Sequence, residues 1–210
     1  MSVAVESFYV GGVKSGALLR RVNADHITTL LAFQSPDGPL IQLEQTTWFA
    51  RSPLEWTKFC FTDHSAGVET ESTREKWVAS QGSTLTAEFR AAIPSYLAHV
   101  LLASFLQTGA ESRDFSQFAE GTPNVVVAAR FVRGATEEIL VGSNSTAAQK
   151  VLLELAGHAT NTFWVDGQSI LKSDWNGAES YPAPTLDDAL DGLSTPIVEI
   201  VTAFAHAIAE

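Results

Sequence analysis

Apolar and polar residues alternate along most of the chain, and short turn-forming clusters break the alternation at intervals. Period-two patterning of this kind reads as β-strand. It predicts strands over Val5–Val10, Val13–Val22, His26–Gln34, Leu40–Phe49, Trp56–Asp63, Gly67–Ala79 and Thr84–Arg90. The separators are Gly11-Gly12, Asn23-Ala-Asp25, Pro36-Asp-Gly-Pro39, Ser65-Ala-Gly67 and Gln81-Gly-Ser83. Connections this short join antiparallel neighbours, because parallel pairing needs a crossover of roughly a dozen residues or more. A second set follows at Asn124–Val132, Glu137–Gly142, Val151–Ala156, Thr162–Val165 and Ser169–Trp175. Asp166-Gly167, between the last two, is a hairpin signal.

Three segments switch to helical spacing. Pro94 at a first-turn position opens a helix running to about Thr108, with Gly109 placed to end it. Leu97, Val100, Leu101 and Phe105 form one stripe, and Tyr96, Leu102 and Leu106 fill much of the remainder. A helix apolar nearly all round is buried on most sides. Thr185 caps a short helix over Leu186–Asp191, stopped by Gly192. Thr195 and Pro196 open the last helix, whose stripe Ile197, Ile200, Val201, Phe204, Ala205 and Ile208 packs on the rest of the chain.

These elements predict a mainly β (α+β) fold. A long antiparallel curved sheet forms a half-barrel or barrel around a buried central helix, with a C-terminal helix outside it. The expected organisation is a single domain over 1–210: a β-meander over 1–90, the buried helix over 94–108, a second meander over 124–175 and C-terminal helices over 185–210.

Composition narrows the picture. Hydrophobic residues are 45% and charged residues 18% of 210, which fits a folded chain with a large core. The lone Cys60 excludes an intrachain disulfide and argues against zinc. A net charge of −11 disfavours nucleic acid and anionic membrane as partners. The charge is uneven: residues 1–105 carry 8 basic and 10 acidic side chains, residues 106–210 carry 5 and 14. The first ten residues have no basic region followed by a long apolar run, so a cytoplasmic location is expected. The longest uncharged stretch, Ala91 to Ala110, contains Pro94, His99, Gln107 and Gly109 and reads as a buried helix, so no membrane insertion is expected.

Motifs for nucleotide phosphates, for an α/β-type serine nucleophile and for zincin chemistry are all missing, so no cofactor and no metal are expected. Asp174-Trp-Asn-Gly-Ala-Glu179 has the oxygens of a calcium loop without its full spacing and reads as a hairpin end. What remains are polar groups in apolar settings. On Leu40–Phe49, alternation sends Gln42, Glu44, Thr46 and Trp48 to one face. That face is either an outer surface or a cavity wall in which Glu44 is a desolvated acid or base. Arg130 shares a strand face with Val126, Ala128 and Val132, as a structural ion-pair partner or as a clamp for a ligand's carboxylate or enolate. His99, mid-helix, is a core histidine or an imidazole facing a cavity. Trp48, Trp77 and Trp164 on strands, with Tyr96 on the helix, could line an aromatic pocket.

Gly12-Val-Lys-Ser-Gly16 in the first hairpin, the helix after Ile93-Pro94, Phe163-Trp-Val-Asp-Gly167 and Leu171-Lys-Ser-Asp174 give the chain a further aspect. In these segments it resembles the bacterial half-barrel carriers related to the lipoprotein-carrier family. The resemblance implies a lipocalin-like or open β half-barrel whose concave side is plugged by helices, and no functional residue is carried over from it.

Two functions are expected from these features. One is a cofactor-independent isomerase, cyclase or lyase acting on a hydrophobic or aromatic small molecule through Glu44, His99 and Arg130. The other is a non-catalytic carrier of a lipid or hydrophobic metabolite. The expected partner is a small hydrophobic molecule. A sheet edge or the exposed side of the last helix could pair two chains as a homodimer.

Overall fold

The computed structural model describes residues 2–80 and 91–208. The expected strand Thr84–Arg90 and the Gln81-Gly-Ser83 turn lie outside the described residues. The first meander comprises β1 (Ser2–Val10), β2 (Val13–Val22), β3 (His26–Gln34), β4 (Leu40–Phe49), β5 (Trp56–Asp63) and β6 (Val68–Thr73). The second comprises β7 (Ala92–Pro94), β8 (Ser112–Ala119), β9 (Thr122–Val141), β10 (Asn144–Leu155), β11 (His158–Asp166), β12 (Ser169–Asp174) and β13 (Ala178–Pro182). The two meanders are one sheet, because β1 pairs with β13 as well as with β2. Among the described residues the sheet has thirteen strands, with β6 and β7 at its edges. All neighbours are antiparallel except β7 with β8.

Among the described residues the sheet curls without a backbone ladder joining β6 to β7. Its ends meet mainly through aromatic side chains. Trp56 on β5 packs 5.6 Å from Phe118 on β8 and donates Nε1–H to the Ala92 carbonyl on β7 at 2.9 Å. Helix α1 (Arg74–Ser80) fills the seam with Trp77, stacked on Phe118 at 4.3 Å. The molecule is thus a mainly β, curved, open barrel-like sheet.

Helix α2 (Ala98–Leu106) occupies the concave side, with Leu101, Leu102 and Phe105 fully buried. A 3-10 turn over Ser95–Leu97 leads into it. Helices α3 (Leu186–Leu190) and α4 (Thr195–Ala207) lie on the convex side over β1, β2 and β3. There Ile197 and Val201 meet Ala17 and Leu19 of β2 and Leu30 and Ala32 of β3. The intervening residues Leu18 and Arg20 point into the concave side, so β2 is covered on both faces. Lys14 ties the convex layer together, donating to the Asp188 and Asp191 carbonyls at 2.8 Å each, where cationic groups suit a helix C-terminus.

Several boundaries differ from the sequence expectation. The segment Gly67–Ala79 is a strand only to Thr73, whose Oγ1 accepts from the Lys76 amide at 3.3 Å and so starts a helix. Pro94 ends β7 instead of opening a helix, and Gly109 does not adopt the left-handed backbone of a helix-ending glycine. Arg133 ends α2 instead. Its guanidinium donates to the carbonyls of Thr108 at 2.8 Å and Ala110 at 2.9 Å, and lies 4.8 Å over the Phe105 ring.

Asn124–Val132 and Glu137–Gly142 are parts of one 20-residue strand, β9. It passes through a register shift opposite Lys150, where a Cβ on Gly134 would come within 3.3 Å of the Lys150 Cβ. Strands β7, β8 and β13 were not legible from alternation. The Asp174–Glu179 segment is the hairpin end expected, with Asn176 and Gly177 at positive φ and the Asp174 carboxylate accepting from the Gly177 amide at 2.8 Å.

Candidate functional site

A cavity of about 390 Å³ opens on the concave side between the start of α2 and strands β1, β2, β3, β8, β10 and β11. Its walls are mostly apolar, with Phe8, Leu18, Leu31, Leu153, Phe163 and Trp175. Alternation on each strand supplies these side chains: Leu18 faces in because Ala17 and Leu19 are held by the convex helices.

Polar residues share the same lining: Arg20, Ser95, Tyr96, His99, Gln117 and Asn161. Arg20 is paired with the buried Glu6 carboxylate. The other Glu6 oxygen accepts from Ser180 Oγ at 2.5 Å, which in turn accepts from Trp175 Nε1 at 3.0 Å. The Arg20 guanidinium also lies 5.5 Å from the Trp175 ring centroid. This chain of contacts spans β2, β1, β13 and the cavity wall.

His99 and Gln117 are different. The His99 Nδ1 and the Gln117 Oε1 are shielded from solvent and have no hydrogen-bond partner among the described residues. Burial, reinforced by the Arg20 charge, holds the His99 imidazole well below its ordinary pKa, so the ring is neutral. Glu120 is fully buried behind Ser95 and Tyr96 of the lining. Its carboxyl accepts from Ser95 Oγ at 2.6 Å and from the Tyr96 amide at 3.0 Å, serving the first N–H group of the turn that leads into α2. Burial pushes its pKa up to about 7 against those two hydrogen bonds. Tyr96 lines the cavity, and burial followed by the nearby Glu120 charge pushes its phenol well above the usual range.

The residues singled out from sequence scatter. His99 and Tyr96 line the cavity. Glu44 is on the outer face of β4, held by Gln42 Nε2 at 2.8 Å and His64 Nε2 at 3.1 Å. The inner face of that strand carries the core-packed Leu43 and Phe49, with Gln45 and Thr47 buried between them, so alternation puts Glu44 outside. Arg130 is exposed and bonded to Asp114 at 2.6 Å, because its neighbours Ala129 and Phe131 take the inward positions.

The three expected catalytic residues therefore do not face one space. Trp48 is also outside, flanked by the His26 ring and by Lys58 at 5.4 Å. Trp164 lies outside between Lys150 at 5.7 Å and Lys172 at 4.9 Å, with Nε1 donating to Glu137. Trp77 is core, in the seam.

Sequence reading missed Arg20, Glu6, Gln117 and Glu120. A signal existed for the first two: an Arg and a Glu on adjacent strands of one hairpin, each inside a largely apolar run. Glu120 follows β8, a strand that alternation did not reveal, and carries no local signal.

Among the described residues, no group of three or more His, Cys, Asp or Glu side chains could hold a metal ion. No helix among them is long and apolar enough to cross a membrane.

The fold and the cavity define a class: an open, barrel-like β-sheet with a largely apolar concave cavity beside an internal helix. No family model matches the chain, and no curated protein matches it. Among solved structures, the chain is similar to a beta-barrel-like protein of a domain of unknown function, DUF1849, from Brucella abortus. The identity is 12%, the match covers 86% of this chain and 95% of that chain, and the TM-score is 0.47.

Proposed function

We propose that this protein binds a small amphipathic molecule in the concave cavity and holds it without chemical change. The observation that supports this reading is the cavity itself. It encloses about 390 Å³ behind aromatic and aliphatic walls, with a few polar atoms on its lining. That size and that division between apolar wall and sparse polar groups suit a small-molecule site. The isomerase, cyclase or lyase expected from the sequence needs Glu44, His99 and Arg130 around one substrate. Two of the three lie on the opposite surface of the sheet, so the carrier alternative becomes the better-supported reading.

The test is a fluorescence titration with N-phenyl-1-naphthylamine, an uncharged apolar probe, on the full chain. Saturable binding is expected, weakened at least about tenfold by Leu31→Trp, which fills the cavity from its half-buried wall position. Glu44→Gln and Arg130→Ala are expected to leave the titration unchanged. Absence of saturable binding, or indifference to Leu31→Trp, overturns the proposal. Native mass spectrometry of the purified protein would identify any molecule retained from the cell.

A further inference from the structure

The guanidinium of Arg20 decides which head group a bound molecule can carry, an inference that rests on the binding function just proposed. Among the described residues, Arg20 is the one arginine or lysine on the cavity lining. The alternation that turns Leu18 inward and Leu19 toward α4 puts it there. A guanidinium carries five N–H donors on three nitrogens. Nη1 serves Glu6. Nε and Nη2 make no hydrogen bond to the described residues, and neither is sealed from water as His99 Nδ1 and Gln117 Oε1 are. The side chain keeps 5% of its surface accessible, and that surface belongs to a lining residue.

The Arg20–Glu6 pair also has a direction. Arg20 is on the lining and Glu6 is off it, held by Ser180 Oγ at 2.5 Å, so the cationic end of the pair meets the cavity. Its charge reaches two further lining residues. After burial, it is the Arg20 charge that lowers the His99 imidazole, and at Tyr96 the same charge opposes the rise produced by burial and Glu120. Glu120 faces Ser95 and the Tyr96 amide, which occupy its oxygens. A carboxylate that enters beside Arg20 lies nearer the guanidinium than Glu6, and the closer charge dominates. The planar fork of a guanidinium can hold carboxylates on two edges, through hydrogen bonds strengthened by charge.

We infer that the cavity takes an anionic amphiphile, its carboxylate on the free edge of Arg20 and its apolar body along Phe8, Leu18, Phe163 and Trp175. The Trp175 ring, 5.5 Å from the guanidinium, marks where the head ends and the apolar wall begins. A neutral ester of the same length keeps the acceptor oxygens and lacks the charge. A cationic amphiphile meets Arg20 as a like charge and is the poorest ligand of the three.

The experiment is competition at pH 8 against bound N-phenyl-1-naphthylamine by decanoate, methyl decanoate and decyltrimethylammonium. Decanoate is expected to displace the probe about tenfold more tightly than the ester, with the cation weakest. Two variants move this preference in opposite directions. Glu6→Gln removes the counter-ion and leaves Arg20, so the preference for decanoate over the ester rises. Arg20→Met combined with Glu6→Gln removes both charges, so the preference disappears. Should one variant fail to fold, the other decides, and the ligand order on the unsubstituted protein needs neither. Decanoate no tighter than the ester, a preference that survives the double variant or falls with Glu6→Gln, or a probe that none of the three displaces overturns the head-group inference and leaves the cavity function intact. Failure of the probe to bind in a Leu31-sensitive manner overturns both.

Discussion

Arg20 and Glu6, on neighbouring strands of the first hairpin, form a buried ion pair on the concave side, with side-chain exposures of 5% and 8%. Their second contacts differ: Glu6 is bonded to Ser180 on β13, and Arg20 lies over Trp175 at the cavity wall. The pair therefore bridges the two meanders at the strand where they join. Removing one partner leaves the other as a buried uncompensated charge. Arg20→Met and Glu6→Gln should each destabilise the fold, by about 3–5 kcal/mol where a charge is left unpaired. The double variant should cost clearly less than the sum of the two singles. Urea denaturation of the four proteins measures this, and strict additivity would show that the two side chains act independently.

Glu120 makes stability depend on pH in an unusual direction for a carboxyl group. Burial raises its folded pKa from the ordinary glutamate value of 4.5 to about 7. Between those values the unfolded chain has released the proton that the folded chain keeps. The folded state thus binds more protons, and stability from this group is full below the unfolded pKa and lost as pH rises to about 7. The amount is about 3 kcal/mol. The readout is the stability difference between the parent protein and Glu120→Gln at pH 5 and at pH 8. That difference should move against the parent as pH rises, and a difference that stays constant would dismiss the buried-carboxyl account.

Arg133 should be as important to α2 as any residue within the helix. It satisfies carbonyls beyond the last turn, donates to Gln149 Oε1 at 2.6 Å and covers the Phe105 ring. Arg133→Met is expected to cost about 1–2 kcal/mol, because the exposed Thr108 and Ala110 carbonyls and the part-buried Gln149 amide lose a charged donor together and the Phe105 ring loses its cover. Arg133→Lys should recover only part of this, since an ammonium is a point donor and cannot span the fork of acceptors. Denaturation midpoints of the two variants separate these outcomes.

The tryptophans should divide sharply by position. Trp77→Ala opens the seam where the sheet ends meet, with a cost of about 3–5 kcal/mol and loss of the near-ultraviolet circular dichroism of the Trp77–Phe118 stack. Trp164→Ala removes an outer-face ring between two lysines, at a cost of about 1 kcal/mol, and leaves probe binding untouched. Comparable losses in both variants would mean that the outer lysine–tryptophan contacts support the sheet more than their exposure suggests.

Much of the architecture was legible because it rests on local chemistry. The hairpins from β1 to β5 follow from alternation broken by turn residues, and four of those strands have the boundaries that alternation predicts. Thr185 caps α3 as its spacing with Asp188 requires, with the Asp188 amide donating to Thr185 Oγ1 at 3.1 Å. The apolar stripe of α4 lies on the sheet as its period indicates. The failures were also local in cause. In β8, Ser116 and Gln117 are buried beside Phe115 and Phe118, so no alternation of character marks the strand.

The site is another matter, because facing is relative. Alternation establishes that Glu44 is opposite in face to Leu43 and Gln45, yet it does not say which face becomes concave. That choice was made by packing. The helices α3 and α4 cover one side of β1 to β3, and α2 with the aromatic seam takes the other. Once that is settled, Glu44, Trp48, Arg130 and Trp164 fall outside, and Arg20, His99, Gln117 and Trp175 surround the cavity. Local sequence determined the strands, the turns and the two-sidedness of each strand, since these depend on neighbours a few residues apart. The tertiary structure alone decided which side became the interior and which polar groups met there, because residues as distant as Glu6 and Ser180 are brought together only by the closing of the sheet.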